Sequence, residues 1–511
     1  MSNHRNKQYW RLLLFSVLFL TLSQITFAQN LGDAIRYARI QNYGTARMSG
    51  VGGAFTALGA DFGAVSLNPA GLAMFRTDEF MFTPGFYFAS TNAALNVDGA
   101  SSFNDQASKL RFANIGMVFN TNNREKDKWR TVNVGLGYNQ LSNFAQKTFY
   151  QGAANGSILN NWFDIASPFL AGGGNPDELY PLGEGLAYNA GAIYFQDGVP
   201  SYDFINTPTA SSDRTHAVNT RGTNSEMTLS LAGNYMDKLM IGGAIGIPIV
   251  NYRQDATYTE RDPNGGYEGN VAYFDNLTYT DFVKTNGIGF NAKLGATLRV
   301  SQAFRIGGAI HSPSFLNLTD NFSATFQYEY QDQTELGNIA DYSNNDEAAA
   351  EPFNYGLRTP WRGVFGGAVL LNNKGFISAD IEYIDYTASR FNLTKDFNDT
   401  GTQKMERDLN ADIQRTLQPT LNYKLGAEIV LDVFRLRAGY NLLGKPRVTD
   451  SGYDSAVSFG AGLRKDAFYM DLAVRRSNTS GSISPYAGSD TPRGLTDSKI
   501  TDVLMTVGFK F

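Results

Sequence analysis

Cysteine is absent from this chain of 511 residues, and histidine occurs only three times. Without cysteine there is neither a disulfide framework nor a thiolate metal site. The two histidines beyond the first few residues, His216 and His311, are too few and too far apart for a zinc centre. Long apolar runs are missing as well. The run at 12–22 is short, and nothing after it approaches the roughly 18 to 20 apolar residues of a helical membrane span. Catalytic signatures are equally scarce. No G-x-S-x-G elbow occurs, and Gly50-Val51-Gly52-Gly53-Ala54-Phe55 ends in phenylalanine where a dinucleotide fingerprint needs a third glycine. The acids between Asp341 and Glu351 lack the spacing of a calcium loop and read as solvated loop. No enzyme, metal or cofactor is expected.

What is present starts with an address. Arg5, Lys7 and Arg11 precede the short apolar run, and Thr26-Phe27-Ala28 supplies small residues ahead of Gln29, which reads as a secretory signal peptide over 1–28. Its removal takes three positive charges and no negative ones, so the formal charge moves from -5 to -8. That balance speaks against a nucleic-acid partner.

The 52 glycines and 13% aromatic residues go with a mean hydropathy of only -0.27. A barrel strand has that average, because it shows lipid just its outer half. The alternation itself is explicit. Ile288, Phe290, Leu294, Leu298 and Val300 oppose Gly289, Asn291, Lys293, Gly295, Thr297 and Arg299. Val132, Val134, Leu136 and Tyr138 oppose Asn133, Gly135, Gly137 and Asn139 in the same way. The last twelve residues place Val503, Met505, Val507, Phe509 and Phe511 against Asp502, Thr506 and Lys510. A soluble sandwich could alternate likewise, but it would have to hide every apolar face in one core.

The rhythm of connections is more decisive. Short turns are expected near 121–130, 236–238, 300–303, 372–374, 431–432 and 465–467. Long polar stretches are expected near 90–110, 150–225, 258–275, 330–355, 390–412, 442–455 and 478–497. Six turns and seven loops make about fourteen strands with both chain ends on the short-turn side, which in an outer-membrane barrel is the periplasmic side. The expected fold is all-β: a transmembrane antiparallel barrel over 79–511, working as a monomer among outer-membrane lipids. Around eight strands already give a barrel filled by its own side chains, so the lumen of this wider one needs an occupant. Residues 29–78, with a short helix expected at 31–39, a Gly/Ala-rich run and Asn68-Pro69-Ala70-Gly71, are the candidate hatch. A flexible tail is the alternative. Pro69 fixes its own φ and restricts Asn68, so a turn of set shape is expected there.

The stretch Ala57-Leu58-Gly59-Ala60-Asp61-Phe62-Gly63-Ala64-Val65-Ser66-Leu67-Asn68-Pro69-Ala70-Gly71-Leu72-Ala73 resembles the N-terminal signature of the FadL/TodX family of outer-membrane transporters for hydrophobic compounds. The resemblance implies a fourteen-stranded barrel with an N-terminal hatch. It also implies passive uptake of long-chain fatty acids or similar molecules, captured by loops and released when the hatch changes conformation. Trp162, Phe163, Ile165, Phe169 and Leu170 form an apolar cluster in the longest loop, either a capture patch or a core that folds the loop. Lys293, Arg299, Arg305 and Arg435 could meet a carboxylate head group, or simply belong to a salt-bridged interior. The runner-up is a barrel of the same superfamily that binds proteins of a secretion system, as a PorV-like component would. A transporter should show a continuous apolar tunnel past the hatch. A haem receptor comes third, for want of histidine.

Overall fold

The computed structural model describes residues 28–41, 44–122, 128–333, 339–395, 398–486 and 491–511. The signal peptide, apart from Ala28, lies outside the described residues. Fourteen antiparallel strands close into one barrel. They are β1 (Glu79–Leu95), β2 (Ser102–Asn122), β3 (Trp129–Asn143, continuing as Gln146–Asn155), β4 (Ser211–Tyr235), β5 (Leu239–Arg261), β6 (Phe274–Arg299) and β7 (Phe304–His311, continuing as Phe315–Gln333). There follow β8 (Ile339–Ala349, Phe353–Arg358 and Arg362–Leu370), β9 (Gly375–Asp385 and Arg390–Asn392), β10 (Pro419–Leu431), β11 (Phe434–Gly444), β12 (Tyr453–Lys465), β13 (Phe468–Ile483) and β14 (Gly494–Lys510). The C-terminal strand closes the ring: β14 pairs with β1 from Lys510 opposite Glu79 to Gly494 opposite Leu95.

The alternation seen in the sequence sorts the two faces. Ile288, Phe290, Leu294, Leu298 and Val300 are exposed on the outer wall, whereas Asn291, Lys293 and Thr297 are buried inside. From 288 to 300 the apolar band runs roughly 40 Å along the strand, or roughly 30 Å in height at the usual tilt, which matches a bilayer core. Phe509 on β14 and Phe511 just past its end are exposed at the short-turn end, while Asp502 and Thr506 are buried within.

Five of the six short turns lie where expected; of the first, at 121–130, residues 123–127 lie outside the described residues, between the end of β2 and the start of β3. Asn372 and Asn373 both have positive φ, 41° and 63°, a two-residue turn whose twist suits the flanking strands. The long stretches differ from expectation. Within 330–355, residues 330–333 and 339–349 belong to the outer part of the β7–β8 hairpin, paired from Ser323 opposite Ala349 to Gln333 opposite Ile339, while 334–338 lie outside the described residues. Beyond the apolar band both faces of a strand are wet, so alternation fades although the ladder of hydrogen bonds continues. For the same reason β1 and β2 run well into 90–110. The stretch at 150–225 folds into helix α2 (Ile158–Ala171), a second short helix (Glu184–Asn189) and a small hairpin; that at 390–412 carries helix α3 (Thr400–Thr416), capped by Asp399.

The segment ahead of β1 lies inside the barrel. It begins with helix α1 (Ala28–Ala38) and continues through the turns Ala46–Gly50, Phe62–Ser66 and Pro69–Met74, nearly all of it buried. Its side chains Met48, Val51, Phe55 and Leu58 pack with Val364, Ala368 and Phe376 of the wall. On the opposite side Phe62, Val65, Leu72 and Phe75 pack with Val118, Ala232 and Met240.

Candidate functional site

The insert is held by its backbone. A short helix or turn leaves several N–H and C=O groups without internal partners, and inside a barrel the wall must supply them. Asp380 of β9 does so for one turn, its Oδ2 accepting from Phe55 N–H (2.8 Å), Thr56 N–H (2.9 Å) and the Thr56 hydroxyl (2.7 Å). Asn133 of β3 donates to the carbonyls of Leu72 (2.7 Å) and Phe75 (3.1 Å). Thr506 of β14 accepts from Ala46 N–H at 2.8 Å, and His311 Nε2 donates to the Leu67 carbonyl at 2.8 Å.

Asn68 joins insert to insert and insert to wall. Its side-chain oxygen caps the turn Pro69–Met74 by accepting from Ala70 N–H (3.1 Å). Its amide donates to the Thr56 carbonyl (2.7 Å), the Ala296 carbonyl (3.2 Å) and Thr297 Oγ1 (3.2 Å). Such proximity needs a wall without side chains. A Cβ on Gly295 would lie 2.0 Å from Asn68 Oδ1, and one on Gly307 would lie 2.3 Å from the Thr56 carbonyl oxygen. Part of the glycine on the polar face of the strands is therefore docking surface for the insert.

Helix α1 occupies a largely apolar chamber toward the long-loop end, which also buries the carboxylates of Asp33, beside Arg36 and Tyr355, and Asp320. Ala34, Tyr37 and Ala38, with Leu31 and Ile35 beside them, pack against Val250, Tyr252, Leu316, Leu318, Tyr355 and Leu357, and Leu409 and Ile413 of α3 roof the chamber. The end of α1 grips a bend in β3: Ser142 Oγ donates to the Arg39 carbonyl (2.7 Å), and Gln41 N–H to the Leu141 carbonyl (2.9 Å). At that bend β3 parts from β2. The two strands pair from Asn122 opposite Thr131 only as far as Asn114 opposite Asn139. Past the bend, β3 stays paired to β4 alone, while Gln146 reaches inward to Thr91 (3.1 Å) and Ser498 (2.9 Å) on β1 and β14. The outer half of β2, from residue 113 to 102, thus keeps β1 as a partner and lacks β3. Register sets its depth. Leu110 and Phe112 of this half stand opposite Phe86 and Pro84, so the seam opens within the apolar band. Behind it sit Tyr87, Ala89, Ala107, Ala145 and Ile500.

The residues singled out in the sequence fall in three places. Trp162 and Leu170 are buried in a cluster with Ile158, Leu186, Phe204, Phe274 and Phe326, so they fold the long loop onto the projecting strands. Phe163 stacks on Tyr202 with ring centroids 4.2 Å apart, and Ile165 and Phe169 are half-buried. Among the cations, Lys293 pairs with buried Glu226, Arg299 stands in register with Arg305, and Arg305 Nη1 lies 3.4 Å from Met74 Sδ of the insert. Arg435 is bound to its own turn, donating to the carbonyls of Asp432 and Phe434. The four do not converge. Sequence reading passed over Asp380; the clue was an acid on the inward register of Phe376, Ser378, Asp380 and Glu382, opposite Ile377, Ile381 and Tyr383.

Two recesses lie on the inner side of the wall formed by β1 and β11 to β14. One, of about 320 Å³, is lined by Asp454, Asn478, Thr479, Asp497 and Lys499 among others. The other, of about 20 Å³, reaches Arg39, Arg475 and Asp502 and has room for about one water.

No protein-family model and no curated protein matches the chain. Solved structures do resemble it. A FadL homologue of Pseudomonas aeruginosa aligns over 93% of this chain and 100% of its own, with 13% identity and a TM-score of 0.50. The toluene transporter TodX of Pseudomonas putida aligns over the same shares, with 11% identity and a TM-score of 0.50. At such identities the likeness concerns the fold alone: a barrel with an N-terminal insert like those of these two structures.

Proposed function

We propose that this chain is an outer-membrane channel for passive uptake of hydrophobic small molecules, with both termini in the periplasm and residues 29–78 acting as its hatch. The observation that carries the reading is the seam between β2 and β3. An unpaired strand edge facing hydrocarbon costs several kcal/mol per group, so it is tolerated only where it lines a route or cavity. A hydrophobic molecule gains nothing from the water-filled periplasm and about 25 cal/mol per Å² from the bilayer. A sideways exit through this seam into the membrane suits such a cargo, and it removes the need for an apolar tunnel running past the insert.

The chamber of α1 supports the same reading. Its apolar lining is filled by the helix itself, so a ligand of similar chemistry competes with α1, and α1 in turn holds the bend that opens the seam. The structural neighbours are described as a FadL homologue and a toluene transporter, so toluene is one substrate to try, and the long-chain fatty acids that the sequence resemblance implies are another. The second reading is a barrel that binds protein partners and conducts nothing.

Uptake separates the two. Cells stripped of their own transporter and supplied with this chain should take up labelled oleate or toluene faster than cells without it. Ala145→Trp, which crowds the small residues behind the seam, should cut the gain at least fivefold while surface levels stay equal. Equal uptake with and without the chain sinks the channel reading; full uptake by the Trp variant sinks the sideways exit alone.

A further inference from the structure

The β7–β8 hairpin rises far beyond the bilayer. The outward apolar residues of β7 end at Phe315, yet the strand continues to Gln333, roughly 60 Å further along its axis. Its companion on β8, Ile339–Ala349, is bound on one edge only. It pairs with β7 from Ala349 opposite Ser323 to Ile339 opposite Gln333, without a bulge. The next strand does not reach it: β9 meets β8 no higher than Asn392 opposite Gly356. Among the described residues the other edge of Ile339–Ala349 has no strand partner. Its inner face is covered, since Asn344 donates to the Ala190 carbonyl (3.2 Å) and Asp346 accepts from Asn189 (2.9 Å). The edge itself stays open.

Exposed edges of this length are normally blunted by lysine, proline or a bulge, because a row of free N–H and C=O groups templates the addition of another strand. None of the three occurs between 339 and 349. What does occur is one-signed charge. From 306 to 357 there is no lysine or arginine at all, against eight aspartates and glutamates, of which Asp341, Asp346 and Glu347 lie on the open strand itself. Like charges opposite one another disfavour strand pairing, so a second copy of this chain is repelled from the edge. A basic strand is drawn to it.

We propose that the free edge of Ile339–Ala349 is a docking site for an extended, lysine- or arginine-rich segment of a partner protein, which adds to the sheet as a further antiparallel or parallel strand. Main-chain hydrogen bonds supply the fit, and the acids flanking them select the sign of the guest. This holds independently of what crosses the lumen.

The test uses the full chain in lipid nanodiscs and three ten-residue peptides: one alternating lysine with threonine and valine, the same with glutamate for lysine, and the lysine peptide N-methylated at alternate residues. Fluorescence anisotropy reads binding, and amide exchange reads the place. The lysine peptide should bind, weaken at least tenfold between 50 and 300 mM salt as roughly expected for exposed charge contacts, and slow exchange within 340–349 at least tenfold. Asp346→Asn with Glu347→Gln should weaken it severalfold while exchange on β5 stays unchanged. Binding of the glutamate peptide with equal affinity overturns the proposal. So does equal binding of the N-methylated peptide, which has charge but cannot pair. Exchange along 340–349 that is already as slow in the free chain as on β5, or dimerisation through this edge, overturns it as well.

Discussion

Asp380→Ala should loosen the insert while sparing the barrel. The carboxylate oxygen accepts three hydrogen bonds from Phe55 and Thr56, and all the groups involved are buried. Its loss leaves two backbone donors facing a void, at about 1 to 3 kcal/mol each, while the threonine hydroxyl is free to rotate. Removing a buried carboxylate returns part of that cost, since Oδ1 of Asp380 has no hydrogen-bond partner. A net loss of about 3 kcal/mol raises the population of the undocked insert roughly hundredfold, at about 1.4 kcal/mol per decade. Amide exchange on the full chain in nanodiscs should then run roughly hundredfold faster at 54–58 and unchanged along β5 and β6. Asp380→Asn, which keeps an oxygen in place, should fall between the two. Unchanged exchange at 54–58 would refute the reasoning, and so would equal acceleration in the strands, because the carboxylate would then be holding the wall and not its occupant.

The glycine docking surface makes a parallel claim: Gly295→Val drives a side chain into Asn68, so amides 67–72 should lose protection while the barrel still resists SDS unless heated. Protection unchanged at 67–72 would show that the insert adapts. Trp162→Ala removes a buried anchor of the long loop, at about 3 to 5 kcal/mol, and should admit protease within 156–210 without lowering the melting temperature of the barrel. Asp203, in the same loop, has its pKa raised by burial, although the hydroxyls of Tyr328 and Tyr194 pull it back. A raised acid stabilises the fold while protonated, and this contribution fades as pH rises through the folded value, so the loop should resist protease better at pH 4 than at pH 8. Asp203→Asn should flatten that difference; a steeper profile in the variant would contradict the assignment.

How legible each part was follows from how local its physics is. The strand faces could be read because lipid and lumen sort side chains at a period of two, as at 287–300. Five of the short turns could be read because short connections interrupt that period abruptly. The outer hairpin at 315–349 was hidden, since water on both faces erases the pattern. So was the sharing of labour among Lys293, Arg299, Arg305 and Arg435: all four are cations on strands, and only register shows that Lys293 meets Glu226 while Arg435 caps its own turn.

By itself, then, the sequence determined the class of fold, the closing strand that ends in Phe511, the number of strands and the segment free to enter the lumen. These depend on residue type and spacing along one strand at a time. Tertiary structure alone decided that Asp380 and Gly295 hold the insert, that β3 leaves β2 inside the apolar band, and that Ile339–Ala349 ends with a free edge. Each of those is a relation between strands far apart in the chain, fixed by register and closure, and no single strand carries the information.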